Sequence, residues 1–154
     1  MTHVHIAVAE RELVVDLDDR SITLPIGLVD LHERELLSDP PRPEELTNAI
    51  GLVADHLDDV VRADPSVVGA PTTLAGRELR SIVAVEVGGT TSLPYVLSRE
   101  AAEDVFRTLV TEPARDRRLN PGLDHEHVQS VVPACCAVVA VMRRLQLLEV
   151  TVVD

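Results

Sequence analysis

The sequence contains no lysine and no tryptophan, and its only aromatic residues are Tyr95 and Phe106. Without lysine there is no Schiff-base chemistry and no phosphate-loop lysine. Without several exposed aromatics there is no stacking platform for single-stranded nucleic acid. All fourteen basic residues are arginine, set against 26 acidic ones, which gives a net charge of −12. That field repels polyanions, so no nucleic-acid partner is expected. Only two cysteines occur, Cys135 and Cys136, adjacent and inside an apolar run. They read as buried, reduced thiols. The longest apolar stretch, Val131 to Met142, is interrupted by Pro133 and is too short to cross a bilayer. The opening residues, Met1-Thr2-His3-Val4-His5, lack the basic start and apolar run of a signal peptide. The expectation is a cytoplasmic protein with no membrane partner.

What is present is aliphatic. Hydrophobic residues make up 45% of the 154, enough to bury one core, and no linker or internal repeat divides the chain. A single domain, 1–154, is expected. The first third alternates with period two: Val4, Ile6, Val8, then Leu13, Val15, Leu17, then Ile22, Leu24, Ile26. Glu10-Arg11 and Asp18-Asp19 punctuate these runs, so they predict three antiparallel strands. Leu28 to Leu37 predicts a helix. Pro43 opens a second one, with Glu44 and Glu45 at its positive end and an apolar stripe running to about Ala63. Ser66 to Gly69 predicts a short strand, and Pro71 to about Val87 a helix whose Val83-Ala84-Val85-Glu86-Val87 end could be extended. Tyr95-Val96-Leu97 is extended. Ser98 caps a helix carrying Ala101, Ala102, Val105, Phe106, Leu109 and Val110. Arg115 to Arg118 is a solvated turn or short helix. Asp124 caps a last helix from His125 to about Leu147, in which Pro133 marks a kink or a later start. Val150 to Val153 is a final strand. This order predicts an α/β domain with a mixed sheet of five strands and helices on both faces.

Several segments, in order, resemble one family. Ile22-Thr23-Leu24-Pro25-Ile26-Gly27 is similar to its S-L-P-L-G strand. Leu31-His32-Glu33-Arg34 and Asp39-Pro40-Pro41 with Pro43-Glu44-Glu45-Leu46 are similar to its R-L-T-E-R and D-P-P-x-x-x-E-L elements. Val68-Gly69-Ala70-Pro71-Thr72-Thr73-Leu74-Ala75 resembles V-G-x-x-G-T-x-T-T-L-A. Tyr95-Val96-Leu97-Ser98-Arg99-Glu100-Ala101 resembles V-L-(S/T)-R-E-A. Arg118-Leu119-Asn120-Pro121-Gly122-Leu123 resembles R-x-x-x-P-G-L, and Leu148 to Asp154 resembles the family's last strand. The chain therefore resembles the second lobe of the exopolyphosphatase/guanosine-pentaphosphate phosphatase (Ppx/GppA) family, in the actin-like ATPase superfamily. The resemblance implies a ribonuclease-H-like fold. It leaves the family's first lobe, with its phosphate loop and catalytic glutamate, without a counterpart.

The departures matter as much as the matches. Where the family has D-I-G-G-G-S-T-E, whose glycines let backbone N–H groups cradle phosphate, this chain has Ile6-Ala7-Val8-Ala9-Glu10-Arg11-Glu12. Its second loop is expected to be shortened to Ala70-Pro71, and the family's arginine and glycine in the last helix fall at His127 and Ala134. The scaffold is kept and the anion-holding parts are lost, which implies that the phosphatase chemistry is gone.

Other chemistry is thin. His3 with His5, and His125-Glu126-His127, lack a third ligand at usable spacing and read as solvated termini and caps, so no metal is assigned. Glu12, Asp16, Asp18 and Asp19 read as the polar face of an edge hairpin. No catalytic residue is assigned. The ligand-binding candidates are Gly69, Thr72 and Thr73, the threonines doubling as caps of a helix start, and the turn Gly88-Gly89-Thr90-Thr91. The expectation is a stand-alone, non-catalytic binding or assembly module. It would form a homodimer or pair with a separately encoded lobe, using the Val131–Met142 stripe as the contact. The alternatives are a phosphohydrolase acting on polyphosphate or guanosine pentaphosphate, with magnesium as its only cofactor, and a small-molecule sensor.

Overall fold

A computed structural model describes all 154 residues. Six strands, β1 (Val4–Val8), β2 (Leu13–Asp16), β3 (Ser21–Leu24), β4 (Thr72–Ala75), β5 (Tyr95–Ser98) and β6 (Glu149–Val153), form one mixed sheet in the order β3-β2-β1-β4-β6-β5. The first three make the expected antiparallel meander. β4 and β6 run parallel to β1, and β5 returns antiparallel along β6. The sheet thus has one more strand than the sequence suggested. The extended segment Tyr95–Ser98 finds a partner because β6 offers it a free edge.

Two segments differ from their sequence reading. Ser66 to Gly69 is not a strand: Asp64 accepts from Ser66 N and Pro65–Val67 forms a single 3₁₀ turn. Pro71 to Val87 is not one helix. Thr72–Ala75 is β4, and helix α3 occupies only Arg77–Val87. The break is Gly76, whose φ of 158° turns the strand into the helix, and a Cβ there would stand 2.8 Å from the Val8 carbonyl oxygen. A parallel strand buried beside β1 is short and apolar, so periodicity alone does not separate it from a helix start.

The remaining helices are α1 (Leu28–Arg34), α2 (Pro43–Ala63), α4 (Arg99–Val110), α5 (Ala114–Arg117) and α6 (Val131–Arg144). α2 begins at Pro43 and ends at Ala63 as predicted. Ser98 caps α4 by accepting from Ala101 N. The last helix starts later than expected. His125–His127 is a separate 3₁₀ turn capped by Asp124, and Pro133 lies in the first turn of α6, where its missing N–H has no partner to lose.

All helices lie on one face of the sheet, not both. Ile6, Val15, Leu74 and Val152 share a register level and are buried with the helices in one 41-residue core. On the opposite face, His5, Ala7, Val14, Thr73, Ala75, Thr151 and Val153 are each only partly buried. A helix docked there would have sealed them. α6 sits at the centre of the helical layer, packed against α1, α2, α3 and α4. Every residue from Val131 to Met142 is buried. This corrects the expected role of that stripe. It is apolar all round because neighbours surround it, and Ala134, Ala137 and Ala140 let them approach closely. It is not a surface for a partner. Burial also pushes both thiols up, that of Cys136 to about 12, so neither is a reactive thiolate at neutral pH.

Arg117 departs from the solvated turn expected of Arg115 to Arg118. It is 2% exposed and donates to the carbonyls of Leu109, Val128 and Glu112 at 2.7–2.9 Å. Desolvation holds its guanidinium pKa below the usual value, opposed by Asp39 at 3.6 Å.

Candidate functional site

In open α/β sheets the useful crevice lies beyond the carboxyl ends of the parallel strands. Here three segments meet at that end: the β1–β2 turn at Glu10-Arg11, the β4–α3 turn at Gly76-Arg77, and the His125–His127 turn that leads into α6. They enclose a cavity of about 240 Å³ lined by Glu10, His32, Arg77, Glu78, His127 and Ser130, among others. His127 also borders the two neighbouring hollows along α3. Its Nδ1 is 2.7 Å from the Oγ of Ser81, which is 3% exposed.

The β1–β2 turn is fastened to α1. Leu28 N and Val29 N donate to the carbonyls of Ala9 and Glu10 at 3.0 and 2.9 Å. The first amides of α1 are therefore taken by the turn. Gly27 is required at this junction, because a Cβ would lie 2.4 Å from the Glu10 and Arg11 backbone. Asp30 closes it by accepting from Gly27 N at 2.9 Å and from Arg11 at 3.2 Å. The Gly27 amide, helped by the Arg11 guanidinium against the cost of burial, holds the Asp30 carboxyl below the usual carboxylate range.

The electrostatics of the crevice oppose an anion. Glu10, Glu78 and Glu126 line it against Arg77, and Arg77 already reaches Glu10 at 3.4 Å. The positive end of α3 carries its own first-turn carboxylate, Glu78. A phosphate would meet that carboxylate where a phosphate loop offers amides.

The sequence-derived candidates do not converge. Thr72 and Thr73 lie inside β4 and do not cap a helix. Thr72 Oγ1 donates to Ala70 O at 2.9 Å, and Thr73 Oγ1 is 2.6 Å from His5 Nδ1. Both border a separate hollow near the amino ends of the strands, with His3, Asp16 and Asp18. Gly69 has φ 78° and donates to Leu145 O at 2.7 Å, again away from the crevice. Ala70-Pro71 is likewise at the wrong end of β4 to be the second loop, and Gly76-Arg77 occupies that place. Gly88 and Gly89 end α3, and Gly89, Thr90 and Thr91 edge a hollow shared with Arg80, Gly122 and His127. The residues that sequence reasoning missed are Gly76, Arg77, Glu78 and His32. The local signal was Gly76, a glycine ahead of Leu79, Ile82 and Val83 at helical spacing, which marks a later helix start.

This architecture, a meander feeding a parallel pair with a central helix behind it, defines an α/β lobe of the ribonuclease-H-like class. Among solved structures, the chain is similar to the PPX-GPPA enzyme of Aquifex aeolicus (TM-score 0.85, 17% identity, covering 100% of this chain and 54% of that one). It is also similar to an exopolyphosphatase from Cytophaga hutchinsonii (0.83, 15%, 99% and 53%) and to an exopolyphosphatase-like protein (0.87, 17%, 99% and 55%). The chain has the fold of about half of each of these proteins and spans about half their length. No protein-family model and no curated protein matches the sequence.

Proposed function

We propose that this domain is a Ppx/GppA-like lobe that does not hydrolyse phosphoanhydrides and serves as a binding module. The observation that carries this is the crevice at the carboxyl end of β1 and β4. It is lined by Glu10, Glu78 and Glu126, with its one arginine already facing Glu10. A polyphosphate there would meet repulsion from carboxylates in a partly desolvated site, where charge interactions are stronger than in water. The β1–β2 turn adds to this, since the Leu28 and Val29 amides of α1 are spent on its carbonyls and its side chains stand where glycines would expose amides. The test is phosphate release from polyphosphate and from guanosine pentaphosphate with magnesium present. The expected result is no release above the buffer rate. Turnover that Glu78→Gln accelerates would establish the phosphohydrolase instead.

The solved structures that share the fold carry about as much chain again. The proposal therefore keeps a second lobe as partner, either another copy or a separately encoded chain, although not through Val131–Met142. Light scattering at micromolar concentration should give more than a monomer mass, or a pull-down should recover one lobe-sized partner. A monomer that recovers nothing removes this part.

A further inference from the structure

Two carboxylates in the molecule are buried, Asp30 and Glu78. Asp30 is satisfied by Gly27 N and Arg11. Glu78, at 7% exposure, takes neither a hydrogen bond nor an ion pair from the chain, yet it lines the crevice. The sole sealed side-chain polar atom without a partner is Thr91 Oγ1, so the Glu78 carboxylate keeps its access to that cavity. A carboxylate to which the chain gives no donor keeps its lone pairs for a cation with N–H donors.

We infer that the crevice is a binding site for an organic cation, an alkylammonium or guanidinium head, with Glu78 as the anchoring carboxylate. This rests on the reading above, that the crevice no longer grips phosphate. Glu10 and Glu126 stand on the same lining and add attraction without sealing the site. Arg77 is turned to Glu10 at 3.4 Å, which leaves Glu78 free of an internal cation. A bare metal ion fits less well, because no three histidine, cysteine, aspartate or glutamate side chains are grouped to hold one. A cavity of about 240 Å³ holds a small head group and a short alkyl stem. The same head group could arrive on a free amine or at the tip of a partner's arginine or lysine.

The test is an amide-resolved NMR titration of the full chain at physiological ionic strength, where loose attraction to an acidic surface is screened. The probes are n-butylammonium chloride, acetyl-Gly-Arg-Gly-amide and sodium tripolyphosphate. The expected result is saturable shifts at Glu78, His127 and Ser130 with one of the two cationic probes. A response to butylammonium alone assigns a free amine; tighter binding of the peptide assigns a partner's side chain. Glu78→Gln, which keeps shape and loses charge, should weaken binding by about tenfold or more, as for the loss of a charge-assisted hydrogen bond. Glu44→Gln, at an exposed position of α2 that does not line the crevice, should leave it within about twofold, since exposed charges contribute little. If Glu78→Gln lowers the melting temperature markedly, Glu78→Asp, which keeps the charge and shortens the reach, replaces it. Shifts that never saturate, or that are equal in Glu78→Gln and Glu44→Gln, overturn the site. Silence of all three probes overturns the cation site while the non-hydrolytic reading stands. Tripolyphosphate binding at the same amides, with phosphate release, overturns both.

Discussion

The two faces of the sheet are made from the same strands and could hardly differ more. On one, Val4, Ile6 and Val8 meet Leu74 and Val152 under a helical layer and are nearly or wholly sealed. On the other, one register level runs Ser21, Asp16, His5, Thr73, Thr151 and Val96 across all six strands, with no helix above it. The contrast shows where apolar content is spent. α6 is the most apolar helix, and it is apolar because the first face and four helices consume it on every side. An all-round hydrophobic helix in an α/β domain marks the middle of a layer before it marks an interface.

The sharpest way to break this comparison is to place a charge inside α6. Val141 is fully buried. Val141→Asp should cost more than about 4 kcal/mol, because an unpaired carboxylate in an apolar layer has neither water nor a donor. That is most of a typical domain's stability. Circular dichroism should show no cooperative thermal transition. A folded Val141→Asp would mean that the helix has an open side after all.

Neighbouring residues of β4 then separate the faces with a smaller change. Leu74 points into the core and Ala75 to the bare face. Leu74→Ala should cost about 2–5 kcal/mol through lost burial and a residual cavity. Ala75→Ser should stay within about 0.5 kcal/mol, as expected where no packing is disturbed. Urea midpoints at constant slope read both. Equal costs would mean that something covers the bare face.

Glycines divide the molecule in a similar way. Gly27 is pressed against the β1–β2 turn, whereas Gly51, inside α2, has nothing within 4 Å of where a Cβ would stand. Gly27→Ala should destabilise by about 1–3 kcal/mol, because the turn must be displaced. Gly51→Ala should stabilise by about 0.5–1 kcal/mol through helix propensity and a less flexible unfolded chain. Paired denaturant titrations give the opposite signs directly.

These contrasts also show what could be read from sequence. The meander, the full extent of α2 and the Ser98 cap were legible, because period-two alternation, a first-turn proline and a side-chain acceptor are local signals, whereas Asp124 caps a 3₁₀ turn and not the long helix expected. β4 was not. Its four residues, Thr72–Ala75, are short, lack alternating polarity, and owe their extension to β1 on one side and β6 on the other. Missing β4 displaced the second loop from Gly76-Arg77 to Ala70-Pro71, and the candidate site moved to the wrong end of the sheet with it. Arg117 was equally illegible, since the three carbonyls that bury it come from Leu109, Glu112 and Val128. The absence of glycine from the β1–β2 turn was legible, because Glu10-Arg11-Glu12 is visible in the chain itself.

The smallest effect sharpens the comparison between the two buried carboxylates, one satisfied by the chain and one free. Asp30 is held below the usual carboxylate range, chiefly by the Gly27 amide and then by Arg11. A carboxylate whose pKa is depressed on folding stabilises the fold above its unfolded value, near 3.9, and loses that contribution as pH falls through the folded value. Asp30→Asn keeps an acceptor for the Gly27 amide but loses the charge that strengthens that bond and holds Arg11, so it should cost about 1 kcal/mol at pH 7. The difference from the parent should begin to close as pH drops below about 4, where the unfolded chain's carboxyl takes up its proton, and vanish below the depressed folded value. Glu78→Gln should follow another course. With no donor to lose, it should leave neutral-pH stability unchanged within about 0.5 kcal/mol. Thermal melts of the three proteins from neutral to acid pH separate the two glutamate and aspartate roles. A cost at neutral pH for Glu78→Gln equal to that of Asp30→Asn would mean that Glu78 already has an internal partner, and the crevice would then have no free buried carboxylate to anchor a cation.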